Sequence, residues 1–229
     1  MHGADVYEPL LSSHDPAFDE FFGIYADSIP LRERKPKTVV AAMVGQPHYT
    51  FLLLKREGRI AGFSTIFCPP AEPFCLLEYM AIDARLRNSG LGRGLFLRSV
   101  QEVAASRGDI PMLLEVDSDR GLEGDLALTR RRQRFYERLG CRRVEGLAYV
   151  LPLPGDGPPP PMDLYVYFPD RPPVIRKSQL ERWLGVVYES VYGCSARDAR
   201  LSRMAATLPD PIALSPTWTA ARMDAPAHG

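Results

Sequence analysis

One stretch constrains the fold of this chain more than any other: Arg87-Asn88-Ser89-Gly90-Leu91-Gly92, set between an apolar run and an amphipathic one. Residues 76–82 have the length and composition of a buried strand. Leu91, Leu95, Phe96, Val100, Val103 and Ala104 then recur at helical spacing up to a stop at Gly108. The glycines therefore open a helix directly after a strand. Lacking side chains, Gly90 and Gly92 admit a ligand to the backbone, and the first amides of a helix have no carbonyl partners of their own. Such a turn is an anion site, and a pyrophosphate is the guest it suits.

Two common phosphate-binding patterns fail here. A dinucleotide fingerprint needs a third glycine where this chain has Leu95, and a P-loop needs a Gly-Lys-Ser/Thr ending that is absent. Composition narrows the partners further. With 28 basic and 28 acidic side chains there is no net charge to draw the protein to nucleic acid or to an anionic membrane, so neither is expected as a partner. No apolar run approaches the roughly 18 residues of a membrane span, and the first residues carry no basic-then-apolar leader, so a cytoplasmic location is expected. Cys68, Cys75, Cys141 and Cys194 are scattered without Cys-x-x-Cys spacing, which reads as reduced packing residues and no metal site.

Around the glycine turn, strands and helices alternate. A strand at 6–11 precedes a helix introduced by Asp15-Pro16, in which Phe18, Phe21, Phe22 and Tyr25 form an aromatic face. A short helix at 38–44 follows the basic stretch 32–37, which is a solvated loop or, less simply, a binding patch. Strands at 49–55 and 59–67 are joined through Arg56-Glu57-Gly58, and the strand at 74–82 feeds the glycine turn. Residues 110–116 form a further strand, parallel to the one before the turn and reached by a right-handed crossover. Residues 126–139 form a helix ended by Gly140. A last antiparallel pair, 141–153 and 162–168, is linked by a proline-rich segment that serves as a surface connection or as a lid. Beyond it, Ser178-Gln179-Leu180-Glu181 reads as a capping box for an amphipathic helix, and Ser195-Ala196-Arg197-Asp198 repeats that cap before a second helix. From Pro209 onward the composition is that of a loose tail.

Arg87 through Gly92 match the coenzyme A signature Gln/Arg-x-x-Gly-x-Gly/Ala, and Arg134-Phe135-Tyr136-Glu137-Arg138-Leu139-Gly140-Cys141 resembles a second segment found in the same family, in the expected order with a strand between. On these residues the chain resembles the GNAT superfamily of N-acetyltransferases. The resemblance implies an α/β (α+β) fold, with a mixed central sheet of about six to seven strands flanked by helices and splayed to admit a pantetheine arm. It places the acetyltransferase domain at 1–173, a carboxy-terminal helical extension at 174–208 and a flexible tail at 209–229, with a homodimer allowed.

Acetyl-CoA is then the co-substrate and an amine, small or on a protein, the acceptor. By resemblance, Glu78 is the general base and Tyr136 the general acid. Backbone groups of Met80, Ala81 and Ile82 pair with pantetheine; Arg87, Asn88, Ser89, Gly90, Leu91, Gly92, Arg93 and Gly94 hold the pyrophosphate; and Thr129 offers a hydroxyl to the pantetheine. Strand alternation puts Glu78, Met80 and Ile82 on one face. Many relatives carry Asn seven residues and Ala four residues before the tyrosine, where this chain has Thr129 and a bulky Arg132. Arg130, Arg131 and Arg134 form an exposed basic face or reach the 3′-phosphate of coenzyme A. Glu115, Asp117 and Asp119 favour a cationic acceptor or simply line a surface turn. A module that binds acyl-CoA without transferring anything is the alternative function.

Overall fold

The computed structural model describes residues 4–120, 126–153, 157–169 and 174–216. Contacts gather the chain into two compact units, 1–112 with 153–155 and 113–152 with 156–229.

In the first unit, β1 (Val6–Pro9), β2 (Tyr49–Arg56), β3 (Arg59–Phe67) and β4 (Cys75–Ile82) lie side by side in that order, each antiparallel to the next. Glu57 and Gly58, both at positive φ, make the tight hairpin between β2 and β3. On one face of this sheet packs α1 (Ala17–Ser28), which presents the aromatic stripe expected of it. The Phe21 ring meets Phe63 edge-on at 4.8 Å, and Phe18, Tyr25, Phe51 and Leu53 complete that core. The short α2 (Lys37–Met43) adds Val40 and Met43 to it. On the other face, α3 (Leu91–Arg107) lays Leu91 and Leu95 against Leu52, Leu54 and Ala61. A buried hydroxyl pair, Ser64 with Ser99 at 2.7 Å, links β3 to α3 inside that layer.

The second unit holds β5 (Met112–Asp117), α4 (Leu126–Arg138), β6 (Arg142–Arg143), β7 (Tyr149–Val150) and β8 (Pro161–Tyr167). Its strands run β5, β8, β6, with β7 also paired to β8. The expected last pair is thus interrupted: Val144 still donates to the Leu164 carbonyl at 2.9 Å, but 145–148 leave the ladder between β6 and β7, and Gly146 there has positive φ.

Two helices follow, α5 (Lys177–Ser190) and α6 (Ala199–Ala206). Their caps differ from the sequence reading. Helix α5 begins at Lys177, one residue before Ser178, with Arg176 at its N-cap making no side-chain bond, so the capping box does not form; the Asp210 carboxylate accepts from the Lys177 amide instead, at 3.1 Å. Helix α6 is capped by Asp198 itself, whose carboxylate accepts from the Arg200 amide at 2.9 Å.

The stretch from Pro209 also departs from expectation. β9 (Val174–Ile175) pairs with β10 (Ile212–Ala213), Ile212 and Leu214 are buried, and Arg142 donates to the carbonyls of Leu214 and Ser215. Backbone pairing and two buried aliphatic side chains outweigh the composition of that segment. Residues 217–229 lie outside the described part. Among the described residues no helix is long and apolar enough to cross a membrane, and the four cysteines form no disulfide.

Candidate active site

The sequence Cys75-Leu76-Leu77 starts β4 inside the core, and from Glu78 to Ile82 the strand becomes half-buried. Its register against β3 pairs Leu77 with Ile66 and Tyr79 with Thr65, leaving Glu78 without a residue opposite. That is a β-bulge, and one inserted residue reverses which face each side chain takes. Met80 and Ile82 accordingly pack beside Leu91 and Leu95, whereas Tyr79 and Ala81 pack on the α1 side. The Glu78 carboxylate goes with Tyr79, to an ion pair with Lys35 from the segment between α1 and α2. The expectation that Glu78, Met80 and Ile82 share a face is therefore corrected: alternation holds only in a regular strand, and this one is interrupted at the residue concerned.

Only 2% of the Glu78 side chain is exposed, and 18% of Lys35. Burial pushes the Glu78 carboxyl above the usual carboxylate range, against the opposing charge and hydrogen bond of Lys35 and a smaller contribution from Tyr79. The segment carrying Lys35 is fastened in place. Its amide donates to the Tyr25 hydroxyl at 2.7 Å, the Tyr79 hydroxyl donates to the Glu33 carbonyl at 3.2 Å, and Arg34 donates to the Ile29 carbonyl at 3.0 Å. Part of the basic stretch thus folds inward rather than into solvent. Among the described residues, Oε2 of Glu78 and Oγ1 of Thr65 are buried with no hydrogen-bond partner.

After β4, Asp83 caps a single turn of 3₁₀ helix, accepting from the Arg85 amide at 2.9 Å and from its guanidinium. Asn88 (φ 68°) and Gly90 (φ 83°) are then both left-handed, and Gly90 begins α3 with no side-chain cap. The Ser89 hydroxyl turns back to the Leu86 carbonyl, so it does not fill that role. The amides of Arg93 and Gly94 bond to the Gly90 carbonyl, while those of Leu91 and Gly92 have no backbone partner among the described residues. A Cβ built on Gly90 would meet only open space. An exposed, uncapped helix start with two left-handed residues before it fits an anion such as a pyrophosphate.

Two neighbours have other work. The Arg87 guanidinium is bonded to the Ile82 carbonyl at 3.2 Å and the Ser28 hydroxyl at 3.3 Å. Gly94 has a packing reason to be small, since a Cβ there would collide with the Tyr7 hydroxyl.

In the second unit, Thr129 and Tyr136 stand two turns apart on one face of α4. Burial pushes the half-buried Tyr136 phenol up, and the Arg132 charge pulls the other way. Arg132, bulky where relatives carry alanine, points to the end of β5 and pairs with Asp117. Gln133 fixes the helix to the same strand end, donating to the Asp117 carbonyl at 2.9 Å.

The three carboxylates weighed for a cationic acceptor all have internal partners. Asp117 takes Arg132, Asp119 takes Arg130, and Glu115 accepts from the hydroxyls of Tyr149 and Tyr192. Sequence reading missed those two tyrosines. Tyr192 lies just past α5, and nothing in the helix pattern points to β5. Among the described residues there is no group of side chains able to hold a metal ion.

Residues 47–142 match the family model described as the acetyltransferase (GNAT) domain. No curated protein matches the sequence. Among solved structures, a GNAT-family protein from Bacteroides thetaiotaomicron is similar over 83% of this chain and 99% of its own, with TM-score 0.65 and 21% identity. The ribosomal-protein-S18-alanine N-acetyltransferase of Escherichia coli is similar over 72% and 94%, with TM-score 0.53 and 18% identity. An aminoglycoside 6′-N-acetyltransferase, solved with coenzyme A, is similar over 71% and 96%, with TM-score 0.55 and 18% identity. At these identities the likeness is one of fold.

Proposed function

We propose that this chain is an N-acetyltransferase that moves an acetyl group from acetyl-CoA to a primary amine by direct attack. The reading is carried by Glu78, a carboxylate buried at a strand bulge with one oxygen bonded and the other unspent. A lysine-like ammonium, with pKa ~10.4, needs roughly 4–5 kcal/mol to lose its proton at pH 7, so a positioned base is useful. Glu78 takes that proton, directly or through a water. Acetyl-CoA supplies the activated acyl group as a thioester, with a thiolate as leaving group. Tyr136 donates the proton that the leaving sulfur needs, and the raised phenol keeps it protonated until then.

The uncapped amides of Leu91 and Gly92 hold the pyrophosphate, with the left-handed backbone at Asn88 and Gly90 shaping the cradle. Arg93 and Gly94 contribute less to that cradle, since their amides are already spent on the helix. Met80, Ala81 and Ile82, in the half-buried part of β4, offer backbone to the pantetheine arm, and Thr129 its hydroxyl. Arg87 acts on the Ile82 carbonyl more than on the phosphate.

The acceptor is tested with a panel of amines that includes an aminoglycoside and an alanine-terminated peptide, the substrates named for two structural relatives. Free thiol should appear with acetyl-CoA only when a suitable amine is present. Tight acetyl-CoA binding with no thiol from any amine would instead identify a non-catalytic acyl-CoA-binding module.

A further inference from the structure

We propose that Lys35 is the positioning residue of the acceptor site: bonded to Oε1 of Glu78, it fixes the buried carboxylate so that Oε2 is the oxygen offered to the incoming amine. The inference rests on the reading of Glu78 as the base, and three observations carry it.

The first is that a base must be ionised before it can act. A carboxylate with 2% of its side chain exposed stays ionised only beside an opposite charge, and the Lys35 ammonium is the one bonded to it. The second is that Lys35 is held from outside the strand. Its backbone is tied to Tyr25, its neighbour Glu33 to Tyr79, and its ammonium lies 5.6 Å from the centre of the Tyr79 ring. A long flexible side chain thereby gains a fixed origin. The third is that the pair is one-sided. Lys35 occupies Oε1, whereas Oε2 is buried without a hydrogen bond of ordinary geometry among the described residues, the Tyr79 phenol adding only a weaker contribution to the carboxylate.

Among the described residues, the other titratable groups that interact with Glu78 are Tyr25 on α1, Tyr49 on β2 and Tyr79 on β4, with Arg34 acting on Tyr25. Burial, with the negative charge of Glu78 adding to it, pushes the Tyr25 and Tyr49 phenols up, so both stay neutral through the working pH range. In the transfer, the proton leaves the acceptor ammonium for Oε2 and the amine gains its lone pair. The Lys35 charge, which disfavours the protonated acid, then returns that proton to solvent before the next turnover.

The test is the pH dependence of kcat/KM for the acceptor in Glu78→Gln, Lys35→Gln and Lys35→Arg, with acetyl-CoA affinity confirming that each variant is folded. Glu78→Gln should flatten the acidic limb. Lys35→Gln should move that limb upward by about one pH unit or more, and Lys35→Arg should return it toward the wild-type position. A flattened limb in Glu78→Gln with an unmoved limb in Lys35→Gln overturns the role of Lys35 and leaves the base in place. An unchanged limb in Glu78→Gln overturns the base itself, and this inference with it. If Lys35→Gln does not fold, infrared titration of the wild-type carboxylate, assigned by difference against Glu78→Gln, decides the matter. Ionised Glu78 at neutral pH is expected, and a protonated one overturns the proposal.

Discussion

Tyr136 shows how much of the chemistry a single side chain can be asked to carry. Its phenol is half-buried and raised, so it is a poor acid in the resting protein, and in the proposed mechanism it gives up its proton only to the departing thiolate. Tyr136→Phe should lower kcat about a hundredfold while leaving acetyl-CoA affinity, measured by calorimetry, close to wild type. Unchanged turnover would make the tyrosine a packing residue. Glu78 was legible as a carboxylate inside an apolar run, but its direction was not. The bulge that turns it toward α1 is a property of the pairing with β3 and leaves no mark in the alternation of β4. Lys35 was hidden differently. It sits in a run of charges whose ordinary reading is solvent, and only the hydroxyls of Tyr25 and Tyr79 draw its backbone inward.

At the scale of elements, the turn from β4 into α3 separates stability from binding. Gly90 has φ 83°, and a Cβ there would touch nothing. Gly90→Ala should therefore cost about 1–2 kcal/mol through the backbone alone, read as a modest fall in Tm. Under the proposed cradle its effect on acetyl-CoA affinity should be much larger, because the new methyl group would occupy open space beside the backbone that the glycine leaves accessible. Asp83 governs the same turn by charge. Bonds from Arg85 hold its carboxyl at about 2, below the ordinary 3.8. A carboxylate so depressed adds stability above its ordinary value and loses that contribution as pH falls from about 4 to about 2. In thermal melts, wild type should exceed Asp83→Ala at neutral pH, and the two curves should converge near pH 2. The strand-turn-helix succession was visible in the sequence because each piece is regular and the glycines punctuate it. The caps of α5 and α6 were misplaced by two and three residues, because several neighbouring side chains there can act as caps and only tertiary packing chooses among them.

Considered as a whole molecule, the carboxy-terminal helices are part of the second unit rather than an ornament on it. Trp183 is fully buried, the Tyr188 hydroxyl donates to the Val150 carbonyl, and Tyr192 reaches Glu115 on β5. Trp183→Ala should cost about 3–5 kcal/mol, measured by denaturant unfolding. Tyr192→Phe should cost less, about 1–3 kcal/mol, by taking from the Glu115 carboxylate a hydroxyl donor while that of Tyr149 remains. The amphipathic faces of α5 and α6 were readable in advance. What they cover was not, since contacts between distant segments are written in no local pattern. The return of the chain after α6 escaped notice for the same reason: Ile212–Ala213 pairs with Val174–Ile175, and Arg142 grips the carbonyls of Leu214 and Ser215. Both ends of the excursion are thus moored, its outgoing and incoming legs to each other and its finish to β6. A protease cutting the exposed stretch 195–197 would leave a nicked but still assembled protein, its two pieces parting only in denaturant.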